Sequence, residues 1–177
     1  MTIQPSVLAV VAAVGLDWLI GDPLWLPHPV VVMGWWIQTL RARLESWAGE
    51  RPLQLQLAGL LITLILISGS ALAGWFVERL TQQAPHLGWP LLVIALASAL
   101  AGRSLRQSVM AVLKALPPNA ANELTSARER LSRIVGRDVH QLDAAGIIRA
   151  CAETASENAV DGIFAPLAWM AAGCFLW

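Results

Sequence analysis

Leu55 to Val77 is a run of 23 residues without one charged side chain, and it restricts the fold more than any other stretch. At about 1.5 Å per helical residue it reaches about 35 Å, enough to cross about 30 Å of hydrocarbon with some tilt. In lipid, every backbone N–H and C=O must be satisfied within the segment, so such a run folds as a helix. Its surroundings are of the same kind. The chain is 56% hydrophobic and 14% charged over 177 residues, where a soluble domain carries about 25% charged residues. An integral membrane protein follows from that composition. The 12 basic residues are balanced by 12 acids, which excludes the basic surface of a nucleic-acid binder.

Three more apolar segments join this one. The first, 5–20, is interrupted by Asp17. No Lys or Arg precedes it and no small-residue cleavage site follows, so it reads as a first membrane helix rather than a secretory signal. The third, 87–102, lies between Arg79 and Arg103 and is short for a full crossing. The fourth, 162–177, is still apolar at Trp177, and the expectation is that either a C-terminal part follows it or a partner covers this end. The fold class expected is all-α: a multi-pass helical membrane protein forming a single membrane domain over 1–177, with amphipathic cytoplasmic helices between the third and fourth apolar segments.

Basic residues set the expected orientation. The connection after the first segment holds Arg41, Arg43 and Arg51, the next holds only Arg79, and the long connection 103–161 holds eight from Arg103 to Arg149. By the positive-inside rule, the first and third connections are cytoplasmic and share one face of a cell (inner) membrane. Within the long connection, "LPPN" breaks any helix continuing from the third segment. Asn122 or Thr125 is expected to cap a helix carrying "SARERLSRIV", with Gly136 ending it in a left-handed turn. Asp143 is the expected N-cap of a helix running from Ala144 towards Asp161.

On that last helix Arg149, Glu153, Glu157 and Asp161 recur every fourth residue, with Thr154 and Asn158 in a neighbouring row. Like charges at this spacing repel and destabilise a bare helix. Hard oxygen ligands so arranged suit Mg2+, which commonly takes one or two carboxylates with water and phosphate. They suit an ammonium group equally. A solvated acidic face paired with Arg149 accounts for the spacing as well.

A second constellation lies in "LDWLIGDPLWLPHPVVVMG", Leu16 to Gly34. Gly21 and Pro23 end the first helix, and "LPHP" imposes a stiff, extended segment that presents Asp22 and His28. A simple helix stop with an interfacial histidine is the alternative. A third is the stripe Arg130, Arg133 and Arg137, at spacing i, i+3, i+7, which fits a phosphate or carboxylate ligand or an anionic lipid surface. Cys151 and Cys174 lack any paired-ligand spacing and read as small apolar residues. The phosphate-binding pattern GxxxxGK[ST] is absent, and Lys114 is the one lysine.

Taken together, "LDWLIGDPLWLPHPVVVMG", "LSRIVGRDVHQLD" and "ETASENAVDGIFAPLAW" resemble successive blocks of the adenosylcobinamide-phosphate synthase family of cobalamin biosynthesis. The resemblance spans nearly the whole chain and matches the N-terminal half or somewhat more of a multi-pass membrane enzyme. It implies a ligase that joins aminopropanol, or its phosphate, to a propionate carboxylate of adenosylcobyric acid, with ATP as co-substrate. On this reading Glu153, Glu157 and Asp161 hold Mg2+ or the amine and Asn158 orients it. Arg133 and Arg137 bind phosphate or a corrin carboxylate. Asp22 and His28 complete the catalytic set with Glu153 and Glu157, His28 being the favoured base. Expected partners are those two substrates, membrane lipid and other cobalamin-biosynthesis enzymes, with no nucleic acid. A non-catalytic membrane scaffold or regulator of the same fold, or a small-molecule transporter, remain the alternatives.

Overall fold

The computed structural model describes residues 4–21, 29–117 and 124–176, and among them every regular element is helical. In order these are α1 (Pro5–Leu19), α2 (Pro29–Ala48), α3 (Pro52–Gln83), α4 (Pro85–Ala97), α5 (Gly102–Lys114), α6 (Thr125–Ser132), α7 (Ala144–Ala159), a π-helical turn (Val160–Phe164) and α8 (Ala165–Leu176). The chain divides into two compact units: Met1–Asp22 with Leu96–Trp177, and Pro23–Ala95.

In the second unit, α3 is 32 residues long and opens on Pro52, a residue whose fixed φ and missing N–H suit a first helical turn. It bears Leu57, Leu60, Leu64, Ile67, Leu72 and Trp75 as exposed side chains, and its most apolar window has nothing buried within the protein. A helix that is apolar on all sides has lipid as its natural solvent. The helical stretch Pro85–Lys114, which comprises α4 and α5, is also long and apolar enough to cross a membrane. α2, which packs on α3, was not anticipated. Its 20 residues begin at Pro29 and stop before Gly49, which adopts a left-handed φ of +57°. Proline at the start and glycine past the end are legible helix signals.

The first unit contains the core. Val112 of α5, Ala127 and Leu131 of α6, Val139, and Ile147, Ala150 and Cys151 of α7 are buried together. Within α7 the buried positions Ile147, Ala150, Cys151 and Thr154 follow i, i+3, i+4, i+7, the stripe of an amphipathic helix. Asp143 caps its start as expected, its Oδ1 accepting from the Gly146 N–H at 2.7 Å. α6 departs from expectation. Leu124 occupies its N-cap position without a side-chain hydrogen bond, so Thr125 begins the helix rather than capping it. It stops at Ser132, and Gly136 does not take a left-handed φ. Past the helix end, the Ile134 carbonyl accepts a hydrogen bond from the buried Thr154 hydroxyl at 3.0 Å, which ties this turn to α7.

α1, only 15 residues long, packs on α5 and α8 through Ala9, Ala13 and Asp17. At about 22 Å it is shorter than the hydrocarbon layer. Its end and the start of α5 cap each other. Asp17 Oδ2 lies so close to Gly102 that a Cβ there would come within 2.8 Å, putting a carboxylate at the N-terminal end of the α5 dipole. In return Arg103 Nη1 donates to the Trp18 and Leu19 carbonyls at the α1 terminus, at 2.8 and 2.5 Å. Gly21, at φ +68°, lets the chain turn away beneath the Arg103 side chain.

Truncating the fully buried Leu131 to alanine is expected to destabilise the first unit by about 2–5 kcal/mol, the cost of a large-to-small core change. Leu113→Ala, at an exposed position on α5, should cost less than about 1 kcal/mol. Denaturant unfolding followed by circular dichroism in detergent checks both.

Candidate functional site

The buried stripe of α7 determines where the acidic ladder points. With Ile147, Ala150, Cys151 and Thr154 turned inward, Glu153 and Glu157 stand on the exposed flank of a helix that cannot rotate. Arg137, carried past α6 by the 133–137 turn, pairs with Glu153 at 2.5 Å. Both members are more than half exposed, so the pair contributes little stability. Its consequence is positional, because it ties the turn to the ladder. A cavity of about 240 Å³ lies here, walled by Val135, Gly136, Arg137, Glu153, Thr154 and Glu157.

The other half of the expected site faces a different cavity. Asn158 and Asp161 line a cleft of about 640 Å³ with Arg133, Gly136, Ser104 and Ser108. Val135 and Gly136 wall both spaces, so the turn is a partition between them. Asn158 is oriented by its own helix: its Nδ2 donates to the Thr154 carbonyl at 2.8 Å and to the Thr154 hydroxyl at 3.2 Å. Arg133 donates to Glu129 at 2.7 Å, an exposed i,i+4 pair.

Asp161 lies within the π-turn that follows α7. The Ala165 N–H bonds to the Val160 carbonyl, five residues back, and the extra residue shifts the register after Ala159. The Gly162 carbonyl then accepts from the Ala101 N–H at 2.9 Å, which pins the start of α5 to the turn. A Cβ on Gly162 would come within 3.1 Å of the Ala101 Cβ, so the approach is tight.

These placements revise the expected roles. Among the described residues, no three His, Cys, Asp or Glu side chains converge to hold a metal ion. Of the residues expected to hold Mg2+, Glu153 pairs with Arg137 and shares a cavity with Glu157, while Asp161 lines the next cleft. What the arrangement fits is an ion that takes one or two carboxylates, from Glu153 and Glu157, and its other ligands from water and phosphate. The arginine stripe is also dispersed, because α6 ends at Ser132: Arg133 and Arg137 go to the two clefts, while Arg130 faces a groove beside α5. Arg128 is structural, its Nε donating to the Leu142 carbonyl at 2.9 Å. Asp22 and His28 lie outside the described residues.

Ser104 and Ser108 were not foreseen as cleft residues. Their i,i+4 spacing on one face of an amphipathic α5 is the signal that could have found them. Cys151 is a core residue as expected, and burial pushes its thiol above the usual range.

A family model described as CobD/Cbib protein matches residues 10–177. "Cobalamin biosynthesis protein CobD" of Pelobacter propionicus is 41% identical over 97% of this chain and 51% of its own length. "Cobalamin biosynthesis protein CbiB" of Salmonella typhimurium is 36% identical over 95% of this chain and 52% of its own. The CobD of Halalkalibacterium halodurans is 39% identical over 91% of this chain and 48% of its own. The chain thus spans about half the length of the curated relatives it matches. No solved structure matches.

Replacing Thr154 by valine removes the donor to a backbone carbonyl and is expected to cost about 1–3 kcal/mol. Hydrogen exchange should accelerate selectively at 133–137 in that variant. In the unmodified chain, Cys151 should resist alkylation at neutral pH until the protein is unfolded, as thiol labelling with mass spectrometry can measure.

Proposed function

Because this chain belongs to the CobD/CbiB protein family, we propose that it serves cobalamin biosynthesis in the cell (inner) membrane, as part of the enzyme that forms an amide on a corrinoid. The substrates proposed are adenosylcobyric acid and aminopropanol or its phosphate, with ATP as activating co-substrate. The observation that carries this reading is the rigid α7, which holds Glu153 and Glu157 at one cavity and Asn158 and Asp161 at the next, with an arginine at each.

The chemistry requires a carboxylate to become electrophilic. A carboxylate oxygen attacks the γ-phosphorus of ATP, giving an acyl phosphate and ADP. The amine nitrogen then attacks the acyl carbon, the amide C–N bond forms, inorganic phosphate leaves and the nitrogen loses its proton to a base. Mg2+ bound with the nucleotide supplies neutralisation of charge on the phosphoryl oxygens.

This chain's residues divide that work. Glu157, which makes no ion pair among the described residues, binds the ammonium of the incoming amine. Where Mg2+ rather than the amine occupies this cavity, Glu153 and Glu157 are the carboxylates that would hold it. Arg133 and Arg137 offer guanidinium groups to a corrin carboxylate or a phosphate, exchanging exposed partners that cost little to release. Asn158 and Asp161 line the larger cleft, whose volume of about 640 Å³ lies in the range of small-molecule sites. Asp22 and His28 keep their proposed place in the catalytic set, with His28 as base. The two stretches long and apolar enough to cross a membrane support the location.

The test is made in the full-length enzyme, with conversion of adenosylcobyric acid followed by chromatography. Glu157→Gln is expected to lower the rate by about 10²-fold or more, as loss of a positioned acid or base does. Normal turnover by both Glu153→Gln and Glu157→Gln would remove the ladder from the reaction.

A further inference from the structure

We propose that the groove between α5 and α6 is a separate binding site for a phosphate-bearing anion. Its volume is about 600 Å³, and its charged lining is wholly basic: Arg106 and Lys114 from α5 and Arg130 from α6. Arg106, Met110 and Lys114 recur every fourth residue, so the two cations lie along one face of α5, and Arg130 faces them across the groove. Gln107 and Ser126 add neutral hydrogen-bonding groups to the same walls.

Convergence separates this groove from the rest of the basic surface: three cations line one cavity without a carboxylate among its walls. Arg41, Arg133 and Arg137 each have a carboxylate partner, whereas none of the three groove cations makes an ion pair among the described residues. Three like charges facing one cavity repel, and an anion relieves that repulsion while gaining charge-assisted hydrogen bonds. The groove is also built on a rigid base. Val112, Ala127 and Leu131, immediately behind it, are fully buried, so the two helices cannot splay to separate the charges. Arg106 is further located over the Trp18 ring, 5.4 Å from its centroid. Met110 is an apolar neighbour of the cations, which suits a ligand with an anionic head and a less polar body.

Phosphate on that scale comes from a lipid headgroup or from a soluble polyphosphate, and the proposal stands apart from the amide-forming reading. The experiment uses the full-length protein in nanodiscs of phosphatidylcholine alone, titrated with inorganic tripolyphosphate by calorimetry. A parallel arm uses phosphatidylcholine mixed with phosphatidylglycerol, with retained lipid read by native mass spectrometry. In at least one arm the unmodified protein should bind, and K114Q/R130Q should weaken binding by about tenfold or more. The equal charge change R43Q/R51Q, at residues outside the groove, should alter it by less than about twofold. Binding of tripolyphosphate identifies a soluble ligand, and selective retention of phosphatidylglycerol a lipid one.

Lys114 is the chain's one lysine, so a second measurement needs no variant. The bound anion should protect it from an amine-reactive ester, read by peptide mapping. The proposal is overturned if neither probe binds, if R43Q/R51Q loses as much as K114Q/R130Q, or if Lys114 labels equally with and without the anion in both arms.

Discussion

Burial of one stripe of α7 is the constraint on which the remainder of the site depends. Ile147, Ala150, Cys151 and Thr154 are turned inward against α5 and α6, and three of the four are small. Small residues let helices approach closely, so the contact fixes the rotation of α7 within a few degrees of freedom rather than leaving it to slide. Once that rotation is set, Glu153 and Glu157 are displayed outward, where Glu153 meets Arg137. The polar member of the stripe has a particular task. A buried hydroxyl must find a partner, and Thr154 finds the Ile134 carbonyl, so one hydrogen bond both satisfies a buried group and shapes the turn that divides the two clefts.

The π-turn works at the other end of the same helix. It changes register after Ala159 and leaves the Gly162 carbonyl to accept the Ala101 N–H at the head of α5. α5 is then held there by α1 as well, since Asp17 lies against Gly102 and Arg103 covers the last carbonyls of α1. Helix ends leave backbone groups unsatisfied, and in an apolar setting each is costly. In this junction Arg103 satisfies the last carbonyls of α1 and the Gly162 carbonyl accepts the Ala101 N–H before α5, while Gly102 leaves room for the buried Asp17 carboxylate.

Charge is distributed with the same division. Arginines that read as one stripe in sequence are allotted to separate places: Arg128 to a backbone carbonyl, Arg130 to the α5/α6 groove, Arg133 and Arg137 to the two clefts. The pairs at the clefts are exposed and exchangeable, as befits groups that trade an internal partner for a ligand.

Residue order alone determined the helical class, which every regular element among the described residues bears out. A charge-free run as long as Leu55–Val77 has few options besides a helix, because its backbone groups can bond only to each other in lipid. It also determined local signals that need no distant partner: the Asp143 cap, the glycine stop at Gly21, the core character of Cys151, and the i,i+4 relation of Glu153 and Glu157. α2 carried equally local signals in Pro29 and Gly49 and was legible in principle. Only the tertiary structure decided the end of α6, the removal of Asp161 from the ladder, and the meeting of Lys114 with Arg130. The turns concerned are tied by contacts between residues far apart in the chain, such as Thr154 with Ile134 or Gly162 with Ala101, and helical periodicity carries no information about such pairs.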